Sequence, residues 1–368
     1  MAVQACTGRG DSHSQPSLHF SWQQGQRRAV EKRKLCYDHL KYCAAVIVCA
    51  FFFRATHYPF SQSRTKSRQK TMSATVIRGS EIAQTIRAEI AEEVKKLQQE
   101  QQITPGLVTI LVGEDPASQS YVAAKNKTAG QLGIHSKQLT LPAETSEADL
   151  LEIVARYNQD ETIHGILVQL PLPRHIDEGK VLFAIDPAKD VDGFHPVNVG
   201  KMVLGEQCFL PCTPHGILEL LSRSGVETSG AEVVIIGRSN IVGKPVANLM
   251  LQKRDSGNAT VTLCHTRTRD LQFHTRRADI LIVAAGVAQM IGAEDVKEGV
   301  VVIDVGVNRV GETASGKAKL VGDVDFEAVA AKAAAITPVP GGVGPMTITM
   351  LMKNTLQAAR QAGELQTS

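Results

Sequence analysis

The stretch from Glu232 to Met250 constrains the fold of this chain more than any other. Val233 to Ile236 are consecutive apolar residues, the pattern of a strand buried on both faces of a parallel sheet. Gly237 ends that strand and lets the backbone turn, and Gly243 permits close approach of backbone or ligand. Lys244 to Leu251 then reads as a helix, with Pro245 tolerated in its first turn. A strand, a glycine-bearing turn and a helix N-terminus make an anion site, because free N–H groups and the helix dipole both favour phosphate. Arg238 and Ser239 stand where they add donors. The Gly-x5-Gly spacing differs from the common dinucleotide fingerprint, so an ordinary strand–turn–helix shares the pattern.

The segments that follow make a dinucleotide site the better reading. Ala259 to Leu263, Asp279 to Ala284 and Val300 to Val305 are further strand candidates. Each is followed by a turn or helix signal, which predicts a doubly wound parallel sheet with its ligand at the strand C-terminal ends. An NAD site usually places an acid after the second strand, to hold the ribose 2′-hydroxyl. Here His265, Thr266 and Arg267 occupy that place, and the first acid is Asp270. Basic and hydroxyl groups suit a 2′-phosphate, so the expected cofactor is NADP.

A similar alternation precedes this region. Ser80 to Gln99 has the spacing of an amphipathic helix, with Ile82, Ile86, Ile90, Val94 and Leu97 on one stripe. Leu107 to Val112 reads as a strand, and Asp115-Pro116 opens a helix in which Tyr121 and Lys125 share a face. Lys137 to Leu141 is a short strand, and Ser146 to Tyr157 is a helix capped by Thr145 or Ser146. Ile163 to Leu170 is a strand stopped by Pro171 and Pro173, which expose Gln169 near its end. The expected fold is therefore two α/β domains around a cleft, the second a Rossmann-like NADP-binding domain. Between them lies Asp190-Val-Asp-Gly-Phe194, and acids beside a glycine also simply make turns. Thr337 to Thr347 is a Pro/Gly run that fixes backbone shape, followed by a helix from Ile348 to Ala359.

Charge and cysteines narrow the class. Residues 1–71 carry 12 Lys+Arg against 3 Asp+Glu, whereas the whole chain has 40 against 37. The remainder is thus mildly acidic and offers no nucleic-acid surface. Seven cysteines without a Cys-x-x-Cys make neither a disulfide nor a zinc framework and fit a reducing compartment. Cys208, Cys212 and His215 lack a second ligand pair, so no metal is expected. Residues 1–71 include the apolar run Cys43 to Phe53, too short for a membrane span. Three readings fit this extension: a signal-like segment, an organelle transit peptide, or a stretch upstream of a start at Met72. The expected location is the cytoplasm, or a mitochondrion or plastid if the extension is a targeting segment, with no stable membrane association.

Five motifs occur in one order: Tyr121-x3-Lys125, Gln169-Leu-Pro-Leu172, Asp190-Val-Asp-Gly193, Gly237-Arg-Ser-x-x-Val-Gly-x-Pro245 and Pro340-Gly-Gly-Val-Gly-Pro-Met-Thr347. Together they resemble the bifunctional methylenetetrahydrofolate dehydrogenase/cyclohydrolase family over about residues 74–362. The resemblance implies an N-terminal extension over residues 1–73, a catalytic folate-binding domain over 74–192 and an NADP-binding domain over 193–345. A C-terminal helix, 346–362, would pack back on the first domain. It implies oxidation of 5,10-methylenetetrahydrofolate by NADP to the methenyl cation, then hydrolysis to 10-formyltetrahydrofolate, within one-carbon metabolism.

By the same resemblance Lys125 is the catalytic lysine, Tyr121 lines or stacks on the folate, and Gln169 orients Lys125. Val168, Leu170, Asp192 and the turn Pro340, Gly341, Gly342, Val343 and Gly344 would bind substrate. Gly237, Arg238, Ser239, Thr266 and Val307 match cofactor positions. Family members often have Ser where Thr266 stands, and the hydroxyl is kept. A homodimer is also implied. Two other readings share part of the pattern. Short-chain dehydrogenases carry Tyr-x3-Lys, but after their nucleotide fold rather than far upstream of it. A non-catalytic sensor of NADP or folate would bind both ligands without turnover.

Overall fold

A computed structural model describes residues 74–312 and 318–367, with side chains described as far as 365. The expectations for the N-terminal extension lie outside the described residues. The chain enters at β1 (Thr75–Val76) and passes into α1 (Gly79–Gln101), then β2 (Gly106–Val112), α2 (Pro116–Gln131), β3 (His135–Leu141), α3 (Glu147–Gln159) and β4 (Gly165–Val168). Three helices follow: α4 (Glu178–Ala184), α5 (Pro196–Leu204) and α6 (Cys212–Arg223). The second alternating region is β5 (Glu232–Ile236), α7 (Gly243–Leu251), β6 (Thr260–Cys264), α8 (Leu271–Thr275), β7 (Ile280–Val283) and β8 (Val301–Asp304). A hairpin of β9 (Asn308–Glu312) and β10 (Ala318–Val321), then α9 (Phe326–Ala330), β11 (Ala335–Ile336) and α10 (Val343–Thr367), complete the chain.

Local chemistry accounts for most of these boundaries. Asp115 caps α2 by accepting the Ser118 N–H at 2.8 Å, with Pro116 in the first turn. Ser146 caps α3 by accepting the Asp149 N–H at 3.1 Å. The inner stripe of α1 is Ala83, Ile86, Ile90, Val94 and Leu97, all buried, whereas the expected Ile82 is half-buried at its margin. β4 ends two residues before the expected limit, although the Gln169 N–H still bonds the Ile110 carbonyl at 2.8 Å.

Two parallel sheets result. The smaller has the order β3-β2-β4, and every residue of its central strand β2 is buried. The larger has the order β1-β11-β8-β7-β5-β6. Its strands are all parallel, and the reversal of strand order beside β5 is the switch point of a doubly wound sheet. The two sheets do not divide the chain at one point. β1 pairs with β11 in the larger sheet before the chain crosses to the smaller one.

One buried cluster joins the sheets. It runs from Leu107 and Leu167 through α1, α6 and α10 to Val233, Ile235, Ile280 and Ile303. Separate clusters cover the outer face of each sheet, as parallel sheets require. α10 starts at Val343, five residues earlier than the apolar spacing predicts. Gly344 and Pro345 fall in its first turn, where a missing N–H costs nothing. Arg87 of α1 fixes this turn, donating to the Thr349 hydroxyl at 2.8 Å and the Pro345 carbonyl at 3.2 Å. No helix among the described residues is long and apolar enough to cross a membrane.

Asn354 ties α10 to the segment between the sheets. Its buried Nδ2 donates to the carbonyls of Val191 at 2.8 Å and Leu210 at 2.9 Å. Asn354→Ala strands two buried acceptors, so a loss of about 2 kcal/mol is expected in urea unfolding. An unchanged midpoint would show that α10 does not anchor this segment.

Candidate active site

Lys125 is the focus of the site. It lies on α2, one turn beyond Tyr121, and is only 4% exposed, so it is not a surface helix lysine. Its Nζ sits 4.6 Å from the Tyr121 ring centroid. It donates to Gln169 Oε1 at 3.0 Å, and Gln169 Nε2 donates to the Leu170 carbonyl at 2.7 Å. The amide is thereby oriented with its oxygen toward the lysine. Burial pushes the Lys125 amine below the ordinary lysine range, and the nearby Asp192 carboxylate opposes that shift. Asp192 responds in the opposite sense: burial raises it, and Lys125 and the Cys212 thiol oppose the rise. Both partners therefore move toward their neutral forms.

The two acids of Asp190-Val-Asp-Gly193 divide the work. Asp190 is buried and accepts the N–H groups of Phe194 at 3.2 Å and His195 at 2.8 Å and the Asn198 amide at 2.8 Å. Burial still lifts its carboxyl to about 6. Asp190 makes the turn, and Asp192 is left half-buried to face Lys125. Gly193 has a φ of 74°, and a Cβ there would lie 2.6 Å from the Pro211 nitrogen. Only glycine lets the turn pass under that segment.

Tyr121 is held from the far end of the chain. Burial raises its hydroxyl above the ordinary phenol range, and a hydrogen bond to Thr347 of α10 opposes the rise. Thr347 Oγ1 in turn lies 2.9 Å from Thr213 Oγ1 on α6. The Pro340–Gly344 turn packs against the start of α1. The Gly341 carbonyl accepts the Ser80 N–H at 3.0 Å, and Gly342 lies against Gly79, where a Cβ would meet its carbonyl at 1.9 Å. Gly342 and Val343 are buried, Gly341 is half-buried, and Pro340 and Gly344 are exposed. Val168 is buried within the outer cluster of the smaller sheet, so its backbone rather than its side chain is available near Gln169.

Cys212, Thr213 and Thr347 join the cluster without having been singled out from sequence as site residues. Cys212 is buried, its Sγ donates to the Val191 carbonyl at 3.4 Å, and burial raises its thiol well above the usual range. It is therefore an unreactive neighbour of Asp192. No group of three or more His, Cys, Asp or Glu among the described residues is arranged to hold a metal ion.

A second set of residues gathers at the C-terminal edge of the larger sheet. Gly237 has a φ of 118°, and a Cβ there would lie 2.1 Å from the Ala284 carbonyl, so the turn after β5 requires glycine. Ser239 lies in the turn before α7, its Oγ accepting the Val242 N–H at 3.1 Å and the Gly243 N–H at 3.4 Å. The helix terminus is thus partly satisfied internally, and the exposed Arg238 and Ser239 stand ahead of it to meet an anion. Thr266 follows β6 and is also exposed, and Val307 follows β8 with 61% exposure. Ile241 and Val287 add exposed apolar side chains to the turns after β5 and β7. Polar donors and uncovered apolar groups along one edge fit a dinucleotide, whose phosphates need the former and whose rings cover the latter.

The family comparisons agree with this arrangement. Residues 77–192 match the tetrahydrofolate dehydrogenase/cyclohydrolase catalytic domain, and residues 211–363 match its NAD(P)-binding domain. The bifunctional protein FolD of Syntrophus aciditrophicus is 67% identical over 294 residues, 80% of this chain and 100% of that protein. The FolD protein of Syntrophobacter fumaroxidans is 62% identical, over 78% of this chain and 98% of its own. Among solved structures, the bifunctional FolD enzyme of Campylobacter jejuni superposes with a TM-score of 0.74 at 47% identity, covering 78% of this chain and 99% of that one. The Trypanosoma brucei FolD, solved with NADP and an inhibitor, gives 0.74 at 42% identity, with 78% and 98% covered. The order of the motifs, the pair of parallel sheets and these matches lead to one conclusion: the chain belongs to the tetrahydrofolate dehydrogenase/cyclohydrolase family.

Proposed function

We propose that this protein oxidises 5,10-methylenetetrahydrofolate with NADP to 5,10-methenyltetrahydrofolate, then hydrolyses that cation to 10-formyltetrahydrofolate. The observation that carries the reading is the buried Lys125 amine, held by Gln169 beside Tyr121 and Asp192. When bound, NADP supplies the hydride acceptor. Gly237, Arg238, Ser239, Thr266 and Val307 would hold it at the edge of the larger sheet. Asp192 accepts N–H donors of the pterin, Tyr121 stacks on the folate, and Val168, Leu170 and the 340–344 turn line its pocket.

Loss of hydride from the bridging methylene leaves a carbon flanked by N5 and N10 and carrying positive charge. Water adds to that carbon and must lose a proton, and the bond to N5 breaks as that nitrogen gains one. Lys125 suits both transfers, because burial favours its neutral form and Gln169 aims its lone hydrogen-bonding head. The cationic substrate disfavours the ammonium further.

The proposed domain limits are 74–192 for folate and 193–345 for NADP, with β1 lent to the second sheet and α10 packed across both. The protein works as a cytoplasmic homodimer on this reading. The dimer follows from the family resemblance, and the free cysteines Cys208, Cys212 and Cys264 support a reducing compartment.

Replacing Lys125 separates the chemistries. Lys125→Met keeps the stem and removes the amine, so methenyl hydrolysis should fall by about a hundredfold or more. NADPH formation should survive in part, because it depends on alignment rather than proton transfer. Near-normal hydrolysis would remove the lysine from this role, and equal loss of both activities would make it a shared positioning group.

The pH dependence follows from the same environment. Hydrolysis needs the unprotonated amine, so kcat should rise with pH through a midpoint below the ordinary lysine range. Asp192 raises the Lys125 midpoint, so Asp192→Asn should move it lower still. A midpoint that stays put or rises would show that the titrating group is not Lys125.

Cofactor choice is tested by kcat/KM with each dinucleotide. The acid expected for NAD is absent after β6, where Thr266 and Arg267 stand exposed. NADP should be favoured by at least about tenfold, the effect of one well-placed charge-assisted hydrogen bond. Equal use of NAD would overturn the assignment.

A further inference from the structure

Two buried carboxylates lie just behind the cofactor edge, and neither faces Lys125. Asp304 ends β8 and Asp323 follows β10, and they are 3% and 0% exposed. Asp323 Oδ2 accepts the N–H groups of Ala285 at 2.7 Å and Gly286 at 2.8 Å, both in the turn after β7. Its Oδ1 accepts the Asn308 amide at 2.9 Å, beyond the turn after β8. One carboxylate therefore ties the turn after β7 to the start of β9, just past the turn after β8.

Asp304 fixes Asp323 in place. It accepts the N–H groups of Asp323, Val324 and Gly306, each at 3.0 Å, while its own N–H donates to Thr337 Oγ1 at 2.8 Å. The chain leaves room for this arrangement only at glycines. A Cβ at Gly306 would lie 2.1 Å from Asp323 Oδ1, and one at Gly322 would lie 1.8 Å from Asp304 Oδ2. The turns after β7 and β8 carry Val287 and Val307, which are 51% and 61% exposed. Apolar side chains left open on rigidly bonded turns are a surface prepared for a ligand.

We propose that Asp323, anchored by Asp304, is a positioning residue for the dinucleotide: it sets the turns after β7 and β8 against which NADP binds, without touching NADP itself. The inference rests on the NADP reading given above. It also explains why buried carboxylates are kept in an otherwise apolar region. Asp304 accepts three backbone N–H groups and Asp323 two, with the Asn308 amide besides, and a neutral side chain of the same size satisfies them less completely.

The test uses the full-length protein and two variants. Asp323→Asn keeps the shape but turns one acceptor into a donor facing N–H groups. Asn308→Ala cuts only the link to the turn after β8, at a half-buried position that tolerates the change. NADP affinity is measured by calorimetric titration, and methenyl hydrolysis, which consumes no NADP, serves as the control. Asp323→Asn should raise the NADP Kd about tenfold or more, and Asn308→Ala by about threefold or more, the range for a lost buried hydrogen bond. Hydrolysis should stay within about twofold of the parent, which a general loss of structure does not allow. Unchanged Kd values in variants of a parent that binds NADP would overturn this inference alone. Loss of hydrolysis in step with NADP affinity would overturn it in favour of a fold-wide role. A parent that does not bind NADP would overturn the cofactor reading together with this one.

Discussion

Keeping the Lys125 amine out of water is the demand around which the site is arranged. A lysine that is 4% exposed needs polar partners, and a single helix cannot supply them. The hydrogen-bond partner is Gln169 at the end of β4, the ring of Tyr121 lies one helical turn away with Thr347 behind it, and the Asp192 carboxylate in the turn between the sheets adds a nearby charge. Because these groups lie on separate elements, any slip of one element against another leaves a buried polar group unpaired. That penalty, about 1–3 kcal/mol for each orphaned group, ties the chemistry to the packing.

The packing that prevents such slips is largely that of α10. Met346, Met350, Leu351, Met352 and Leu356 are buried in the cluster shared by both sheets. The same helix supplies Thr347 to Tyr121, Thr349 to Arg87 and Asn354 to the carbonyls of Val191 and Leu210. One face therefore buries apolar surface while a few polar positions lock register. The apolar contacts give the stability, and the hydrogen bonds select one arrangement among the many that apolar contacts alone permit.

The cofactor edge is built on a different plan. Its exposed groups sit in turns after β5, β6, β7 and β8, and the backbone of the turns after β7 and β8 is held from behind by Asp323 and Asp304. Lys125 gathers side chains around a buried amine; here buried acceptors gather backbone N–H groups and leave the outward face open. The two designs share a chain but answer to separate forces.

Periodicity and turn chemistry are local properties, and the chain's sequence carried them well. Val233 to Ile236, the helix starts at Asp115-Pro116 and at Thr145 or Ser146, and the stripe Ile86, Ile90, Val94 and Leu97 were all legible, because each depends on neighbours within a turn or a strand. Motif order was legible too, and with it the family, the doubly wound sheet and NADP. Two of the misses share one cause. β1 is too short to show a period and exists only because β11 lies beside it. α10 begins inside a Pro/Gly run because Arg87 and Thr349 hold its first turn. The sequence by itself determined that Tyr121 and Lys125 share a helix face and that Asp190 and Asp192 flank a turn. Only the tertiary structure decided that this face is buried, that Asp190 makes the turn while Asp192 lies near the lysine, and that Asp323 reaches segments far from it in the chain. Burial and hydrogen-bond partners arise from segments brought together by packing, and no local pattern encodes which segments those are.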